Sequence, residues 1–179
     1  RCFSNVQQRT YNLVVTGVYI VKEEIYLLDG SAYIYRAYHA VAPLSNSAGM
    51  ATHAVLGFIN MVNRLIREKT PKYLVIAFDS RGPVFRHEIY DKYKANRPPM
   101  PDDLSVQIPY IKKFVGAANI TVLETKGVEA DDIIASAVKT FKQLGHKVVV
   151  VSGDKDLLQL VDDRRQVGRK PDLQEGDGQ

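Results

Sequence analysis

Three carboxylates are crowded into four residues where the chain reads GVEADDII, from Gly127 to Ile134. They belong to Glu129, Asp131 and Asp132, and an apolar run follows them at once. Two carboxylates about 4 Å apart repel each other by roughly 1 kcal/mol in water and by roughly 4 kcal/mol near a protein surface. A helix N-terminus favours each anion by only about 0.3–1 kcal/mol, so it would relieve part of this repulsion. Hard divalent cations bind carboxylate oxygen, so the cluster suggests a metal site, with an over-acidic first helical turn as the alternative.

Four more aspartates follow apolar stretches that predict buried strands. The strands and the acids after them are Ile25 to Leu28 with Asp29, Tyr73 to Phe78 with Asp79, and Lys147 to Val151 with Asp154 and Asp156. Helical patterns separate the strands, which predicts an α/β fold with a parallel sheet in three layers. The carboxyl ends of parallel strands share one edge, where ligands bind. The cluster above follows a further strand, Ile120 to Leu123, so we expect all seven carboxylates at that edge. One aspartate after a strand is commonly a helix cap, but caps alone do not explain the whole set.

A pair of divalent ions would suit such an edge. Two ions about 3.5–4 Å apart generate a hydroxide nucleophile and stabilise the attacking and leaving oxygens of phosphodiester hydrolysis. Mg²⁺ or Mn²⁺ fits better than Zn²⁺, because every candidate ligand is an oxygen. The single cysteine, Cys2, excludes a thiolate site, and the four histidines have no metal-ligand spacing.

The stretch from Arg81 to Asp103 begins just after Asp79 and reads as a proline-containing insertion. It interleaves cations with aromatic residues, which suits the phosphates and unstacked bases of a single nucleic-acid strand. The candidate DNA-binding residues are Arg81, Arg86, Tyr90, Tyr93, Lys94 and Arg97. A solvated charged helix is the alternative interpretation. The net charge of +4 agrees weakly with an anionic partner.

The helices between the strands are predicted from apolar spacing and capping residues. The expected helices are one capped by Ser31, one from Thr52 to Lys69 with Thr52 as cap, one from Asp102 or Ser105 to about Ala118, one from Ala130 to Leu144, and one beginning at Leu157. Pro109 should impose a kink or a late start on the third helix. No apolar run approaches the roughly 18 residues of a membrane span.

The domain organisation follows from where periodicity begins and ends. Residues 1–21 have no clear period and predict a poorly defined extension, whereas 22–163 predict one core domain with its insertion at 81–103. Residues 164–179 are polar and glycine-rich, which predicts a disordered tail.

Four segments stand in an order and spacing that resemble a known family. They are LLDGSAYIYRAYHA, FDSRGPVFRHEIYDKYKANRPPMPDDL, GVEADDIIASAV and VVSGDKDLLQLV. From Lys22 to Asp163 the chain resembles the N-terminal 5′-nuclease (5′-3′ exonuclease) domain of bacterial DNA polymerase I, in the flap endonuclease superfamily. The resemblance implies a PIN-like fold with a helical-arch insertion, and structure-specific cleavage of DNA with two Mg²⁺ or Mn²⁺ ions.

The resemblance also implies roles for individual residues, motif by motif. Asp29, Asp79 and Asp131 resemble ligands of the first metal, and Glu129 and Asp132 resemble outer ligands that bind it through water. Asp154 and Asp156 resemble ligands of the second metal. Lys94 and Arg97 resemble the catalytic basic residues of the arch, which engage the scissile phosphate. The implied substrates are DNA with 5′ flaps, nicks or single-stranded 5′ ends, and RNA–DNA primers. The implied setting is replication and repair at the nucleoid, in a bacterial cytoplasm.

The family continues beyond the resembling residues. Its members carry a C-terminal helical half with a helix-hairpin-helix element and further aspartates, and the full-length polymerase carries a polymerase domain. Since the resemblance ends near Asp163, we expect a fragment or a reading frame with altered ends, of weak or no activity. Two alternatives stay open. One is a non-catalytic nucleic-acid-binding fragment, and the other is a phosphatase or a small PIN-type ribonuclease.

Overall fold

A four-stranded parallel sheet lies at the centre of the chain. The computed structural model describes residues 23–80, 82, 84–90 and 98–161. Its strands are β1 (Glu24–Asp29), β2 (Tyr73–Ala77), β3 (Thr121–Leu123) and β4 (Lys147–Val151). They are arranged in the order β3-β2-β1-β4, and every neighbouring pair is parallel. The predicted parallel sheet is therefore confirmed.

Helices connect the strands, as a parallel sheet requires. They are α1 (Gly30–Ala40), α2 (His53–Lys69), α3 (Phe85–Ile89), α4 (Asp102–Ser105), α5 (Ile108–Ala117), α6 (Ala130–Gln143) and a 3₁₀ helix (Asp156–Leu160). The helix predicted between Asp102 and Ala118 is divided, and Pro109 lies in the first turn of α5. Proline is tolerated there because that N–H would have no partner within the helix. The late start that Pro109 predicted is confirmed.

The two faces of the sheet bury separate apolar layers. Leu28 and Ile76 belong to a layer shared with α1, α2 and α5, and both side chains are fully buried. Leu27 and Val75 face the opposite layer, which they share with α6 and the 3₁₀ helix. Successive side chains of a strand point to opposite faces, so both central strands read as continuous apolar runs. The three-layer α/β architecture is confirmed.

The predicted cap of α1 is wrong. The side chain of Asp29, not that of Ser31, accepts a hydrogen bond from the backbone N–H of Ala32, at 2.9 Å. The Ser31 hydroxyl instead accepts a hydrogen bond from the backbone N–H of Asp79, at 2.8 Å. Asp29 prevails because it is the residue before the helix, from which a side chain reaches the third amide.

The predicted N-cap position of α2, Thr52, is confirmed, but the residue that satisfies the helix-end amides is a different one. Thr52 makes no side-chain capping bond. The fully buried Gln107 accepts hydrogen bonds from the backbone N–H groups of Ala54 and Val55, at 2.8 and 3.2 Å, and donates to the carbonyl of Asp103 at 2.8 Å. Buried helix-end amides need a partner, and here a distant glutamine supplies it.

Several predictions lie outside the described residues. These are the extension 1–21, the tail 164–179, and the insertion residues Arg81, Tyr93, Lys94 and Arg97. Of the insertion itself, α3 and α4 are described. Among the described residues, no helix combines the length and the apolar character that crossing a membrane needs.

Candidate metal and nucleic-acid site at the carboxyl edge of the sheet

Asp29, the last residue of β1, is the most buried of the candidate acids, with 4% of its surface exposed. One of its carboxylate oxygens caps α1 through the N–H of Ala32. The other accepts a hydrogen bond from the hydroxyl of Ser152, at 2.7 Å. These two donors orient the carboxylate at the sheet edge.

Asp79, which follows β2, forms a hydrogen bond with the start of α6. Its Oδ1 accepts a hydrogen bond from the backbone N–H of Ala130, at 2.7 Å. Ala130 is the first residue of α6, whose first turn contains Asp131 and Asp132. We call Glu129, Asp131 and Asp132 the acid turn. The contact places the acid turn beside the strand-end aspartate, as the sheet-edge argument predicts.

The loop after β4 folds back onto Asp29. The Ser152 hydroxyl, which donates to Asp29, accepts a hydrogen bond from the backbone N–H of Asp154 at 3.0 Å. Asp154 Oδ1 in turn accepts from the backbone N–H of Asp156, at 2.9 Å. Both of these aspartates are exposed. One serine therefore links Asp29, at the end of β1, to Asp154, after β4.

Asp29 feels the charges of two other candidate acids. Burial is the largest influence and raises the pKa of Asp29, while the hydrogen bonds from Ala32 and Ser152 oppose the rise. The carboxylates of Asp79 and Asp154 raise the pKa of Asp29 further. The charged form of Asp29 is therefore destabilised, and a nearby cation would stabilise it.

Arg86, in α3, forms ion pairs with two members of the acid turn. Its Nη1 lies 2.5 Å from Oε2 of Glu129 and 2.6 Å from Oδ2 of Asp132, and its Nη2 lies 2.7 Å from Oδ1 of Asp132. The side chains of Arg86 and Asp132 are each 32% exposed, and that of Glu129 is 10% exposed. The guanidinium thus neutralises part of the acid turn. Its predicted DNA-binding role stays a prediction.

Hydrogen bonds also attach the residues around the start of the insertion to Gly127, two residues before the acid turn. The hydroxyl of Ser80 accepts a hydrogen bond from the N–H of Gly127 at 2.9 Å, and the N–H of Phe85 donates to the carbonyl of Gly127 at 3.1 Å. Gly127 has φ of 78°, a conformation that favours glycine. The glycine of the GVEADD motif therefore shapes this attachment.

The carboxylates share one edge without forming a closed metal cage. Within the described ranges, no three acidic, histidine or cysteine side chains converge closely enough to hold a metal ion. Hydroxyl, N–H and guanidinium donors engage the carboxylates of Asp29, Asp79, Glu129 and Asp132 instead. The donor set is entirely oxygen, and Asp29 is destabilised by its own charge. In chemical type and charge, these residues fit a hard divalent cation.

An open cleft of about 560 Å³ adjoins the acids, between α1 and the loop after β4. Asp154 lines it together with Tyr33, Tyr35, Arg36 and Lys155. We did not single out these four residues from the sequence as site residues. The sequence did contain a pattern that could have indicated them: two tyrosines and an arginine follow Asp29 within one helix, and a lysine separates the two aspartates after β4. Tyr90, which we did single out, is 60% exposed.

Comparison with known proteins gives the family of this α/β fold. Residues 24–176 match the family model described as the 5′-3′ exonuclease, N-terminal resolvase-like domain. The chain therefore belongs to this 5′-3′ exonuclease family.

Two curated relatives show what part of a longer protein the chain resembles. It is 49% identical over 137 residues to a 5′-3′ exonuclease of Aquifex aeolicus, covering 76% of this chain and 47% of that protein. It is 43% identical over 139 residues to the DNA polymerase I of Caldicellulosiruptor bescii, covering 78% of this chain and 16% of that protein. The chain thus spans less than half the length of either relative.

Solved structures confirm the PIN-like flap endonuclease fold. A bacteriophage T5 5′-exonuclease with bound divalent zinc ions superposes with a TM-score of 0.59 at 24% identity, covering 78% of this chain and 52% of that one. A pseudo-enzyme–product complex of the T5 flap endonuclease with DNA and metal ions gives 0.55 at 23% identity, covering 75% and 50%. At such identity the likeness establishes the fold.

Proposed function

We propose that the chain is the nuclease core of a 5′-3′ exonuclease that hydrolyses DNA phosphodiesters, as the names of its relatives suggest. The observation that carries the proposal is a pair of contacts at the carboxyl edge of the sheet: Ser152 joins Asp29 to the backbone of Asp154, and Asp79 contacts the first residue of α6, beside the acid turn. Asp29 also caps α1, but capping does not explain why acids 50 and 125 residues further along the chain lie close enough to raise its pKa. A cation-dependent site explains their gathering.

Two Mg²⁺ or Mn²⁺ ions would be held by the strand-end aspartates and the acid turn. Asp29, Asp79 and Asp131 would hold one ion, Asp154 and Asp156 the other, and Glu129 and Asp132 would bind their waters. When bound, such ions supply a hydroxide nucleophile and stabilise the charge on the reacting oxygens. The T5 5′-exonuclease that shares the fold is recorded with divalent metal ions, which supports a metal-dependent site.

The other polar groups of the edge would orient the ligands. Ser152 donates to Asp29, and the first N–H of α6 donates to Asp79, so neither carboxylate rotates freely. Hydrogen bonds of this kind fix ligand orientation in metal sites, and their loss typically costs about 10–100-fold in affinity or activity.

The cleft beside Asp154 would bind the nucleic acid. Arg36 and Lys155 supply cations for backbone phosphates, and Tyr33 and Tyr35 supply aromatic faces for bases. The insertion would engage the strand through Arg81, Arg86, Tyr90, Tyr93, Lys94 and Arg97, with Lys94 and Arg97 acting at the scissile phosphate. Substrates with 5′ flaps, nicks or single-stranded 5′ ends, and RNA–DNA primers, belong to this proposal. So do the helical half and the polymerase domain of the full-length protein.

A cleavage assay tests the proposal. The purified chain is incubated with 5′-flap DNA and with Mg²⁺ or Mn²⁺, and Asp131→Asn is compared with Glu68→Gln. Glu68 pairs with Arg64 on an exposed part of α2, so its change removes a carboxylate remote from the acidic edge. We expect metal-dependent cleavage by the wild type and the control, and none by Asp131→Asn, which stays folded because losing a charge relieves repulsion.

Two results would contradict the nuclease. Equal cleavage by Asp131→Asn and by the wild type would refute the role of the acid turn. DNA binding without cleavage by the wild type under all metal conditions would favour the non-catalytic alternative.

A further inference from the structure

Arg86 joins two parts of the site that the proposed function uses separately. It stands in α3, at the beginning of the insertion, and pairs with Glu129 and Asp132 of the acid turn. We propose that Arg86 is a built-in counter-ion whose pairing competes with divalent cations at the acidic edge. Metal occupancy would then control how firmly the start of the insertion is held. The inference concerns the regulation of the proposed metal site and rests on that proposal.

The geometry of the ion pair supports competition. Arg86 contacts both carboxylate oxygens of Asp132, through two different nitrogens, and one oxygen of Glu129. Such a bidentate pair is among the stronger charge-assisted contacts in proteins. A divalent ion that binds near these carboxylate oxygens is repelled by the positive charge of the guanidinium. It also competes with the guanidinium for the same oxygens. Removing that charge should strengthen divalent-ion binding by a factor on the order of ten.

The two ends of the insertion are attached by different chemistry. At its far end, Asp103 accepts hydrogen bonds from uncharged donors: its carbonyl from the side chain of the buried Gln107, and its carboxylate from the hydroxyl of Tyr38. At its near end, Arg86 makes ion pairs, and Phe85 adds one backbone hydrogen bond. The proposed cation site includes Glu129 and Asp132, which are the partners of the near-end attachment, and none of the groups that hold the far end. Linkage is reciprocal, so a cation that weakens the Arg86 pairing is itself weakened by that pairing.

The test uses the full chain and Mn²⁺ or Mg²⁺ alone, and measures the metal concentration needed to raise the unfolding temperature. The variants are Arg86→Gln, Arg86→Lys and the matched control Lys112→Gln. Lys112 pairs with Glu124 at 2.6 Å, and the side chains of that pair are 33% and 31% exposed, close to the 32% of Arg86 and Asp132. Both glutamine variants therefore remove one cation from a comparably exposed ion pair.

We expect Arg86→Gln to be less stable than the wild type without metal and to be stabilised at about tenfold lower Mn²⁺ concentration. Lys112→Gln should respond to Mn²⁺ as the wild type does. Arg86→Lys keeps the charge and loses the bidentate fork, so its response should lie closer to that of the wild type.

A second measurement needs no variant. Hydrogen–deuterium exchange of wild-type peptides spanning Phe85–Tyr90 should become faster when Mn²⁺ is added, because the Arg86 attachment loosens. Peptides spanning Ile108–Ala117 should be unaffected, since that segment follows the far-end attachment, which shares no group with the proposed cation site.

The outcomes separate the inference from the function it rests on. If Mn²⁺ stabilises neither the wild type nor Arg86→Gln, the metal site itself fails and the inference fails with it. If Mn²⁺ stabilises the wild type, but Arg86→Gln needs an equal or higher concentration, the metal site stands and the competition is refuted. Unchanged exchange at Phe85–Tyr90 in saturating Mn²⁺ would refute the control of the insertion.

Discussion

Replacing Gly30 by alanine should force Asp29 and Asp79 apart and destabilise the fold. Gly30 is buried and begins α1, immediately after Asp29. A Cβ at this position would lie 2.5 Å from Cε1 of Phe78 and 2.6 Å from Cγ2 of Ile76. Both neighbours belong to the segment that leads to Asp79, and both are fully buried. The absence of a side chain at Gly30 is what lets Asp29 approach Asp79.

The magnitude follows from these distances. Carbon atoms cannot remain at 2.5–2.6 Å, so α1 must move away from β2 or the core must shift. Overpacking of this kind typically costs about 1–3 kcal/mol. In a domain of this size 1 kcal/mol shifts the unfolding temperature by about 2–4 °C, so Gly30→Ala should lower it by roughly 2–12 °C.

The matched control is Gly116→Ala. Gly116 lies inside α5, and no heavy atom comes within 4 Å of its added Cβ. Alanine is favoured over glycine in a helix by about 0.8–1 kcal/mol, so this variant should unfold at a higher temperature than the wild type. Thermal unfolding without metal compares the two. If Gly30→Ala also unfolds at or above the wild-type temperature, the close-approach argument is wrong.

Three further variants probe other contacts. Asp29→Asn should raise metal-free stability at pH 7: a carboxyl with a raised pKa contributes stability below its ordinary value of 3.8 and loses it as the pH rises through the raised pKa. Thermal unfolding across pH checks this, and a gain largest at acid pH would contradict it. Gln107→Leu should cost about 1–3 kcal/mol in urea unfolding, because the buried amides of Ala54 and Val55 lose their acceptor; an unchanged midpoint would refute the cap. Lys94→Ala should weaken single-strand DNA binding more than Mn²⁺ binding in calorimetric titrations, and the reverse order would refute the proposed role of Lys94.

The sheet and its acidic edge could be predicted because they depend on local signals. An apolar run that ends in aspartate predicts both a buried strand and the edge at which that aspartate lies. The positions of Asp29 and Asp79 at the sheet edge could be predicted without knowing which side chains contact them. Parallel strands bring their carboxyl ends to one edge whatever their order in the sheet.

The partners of these acids could not be predicted, because they come from distant parts of the chain. Gln107 caps a helix that begins more than 50 residues earlier, and Arg86 pairs with acids more than 40 residues later. Neither of these sequence separations follows the period of a helix or a strand, so the sequence pattern predicts neither contact. Arg86 was predicted to bind DNA because it is a cation in a stretch that interleaves cations with aromatic residues. Only the folded arrangement of α3 against α6 shows that its guanidinium contacts carboxylates.

A crystal structure of the full chain grown with Mn²⁺, with anomalous diffraction data, tests the central proposal most directly. The account predicts anomalous peaks at the carboxyl edge of the sheet, within ligand distance of Asp29, Asp79 and the acid turn, with a further peak near Asp154. A well-ordered edge with no manganese bound, in crystals grown at millimolar Mn²⁺, would contradict the account.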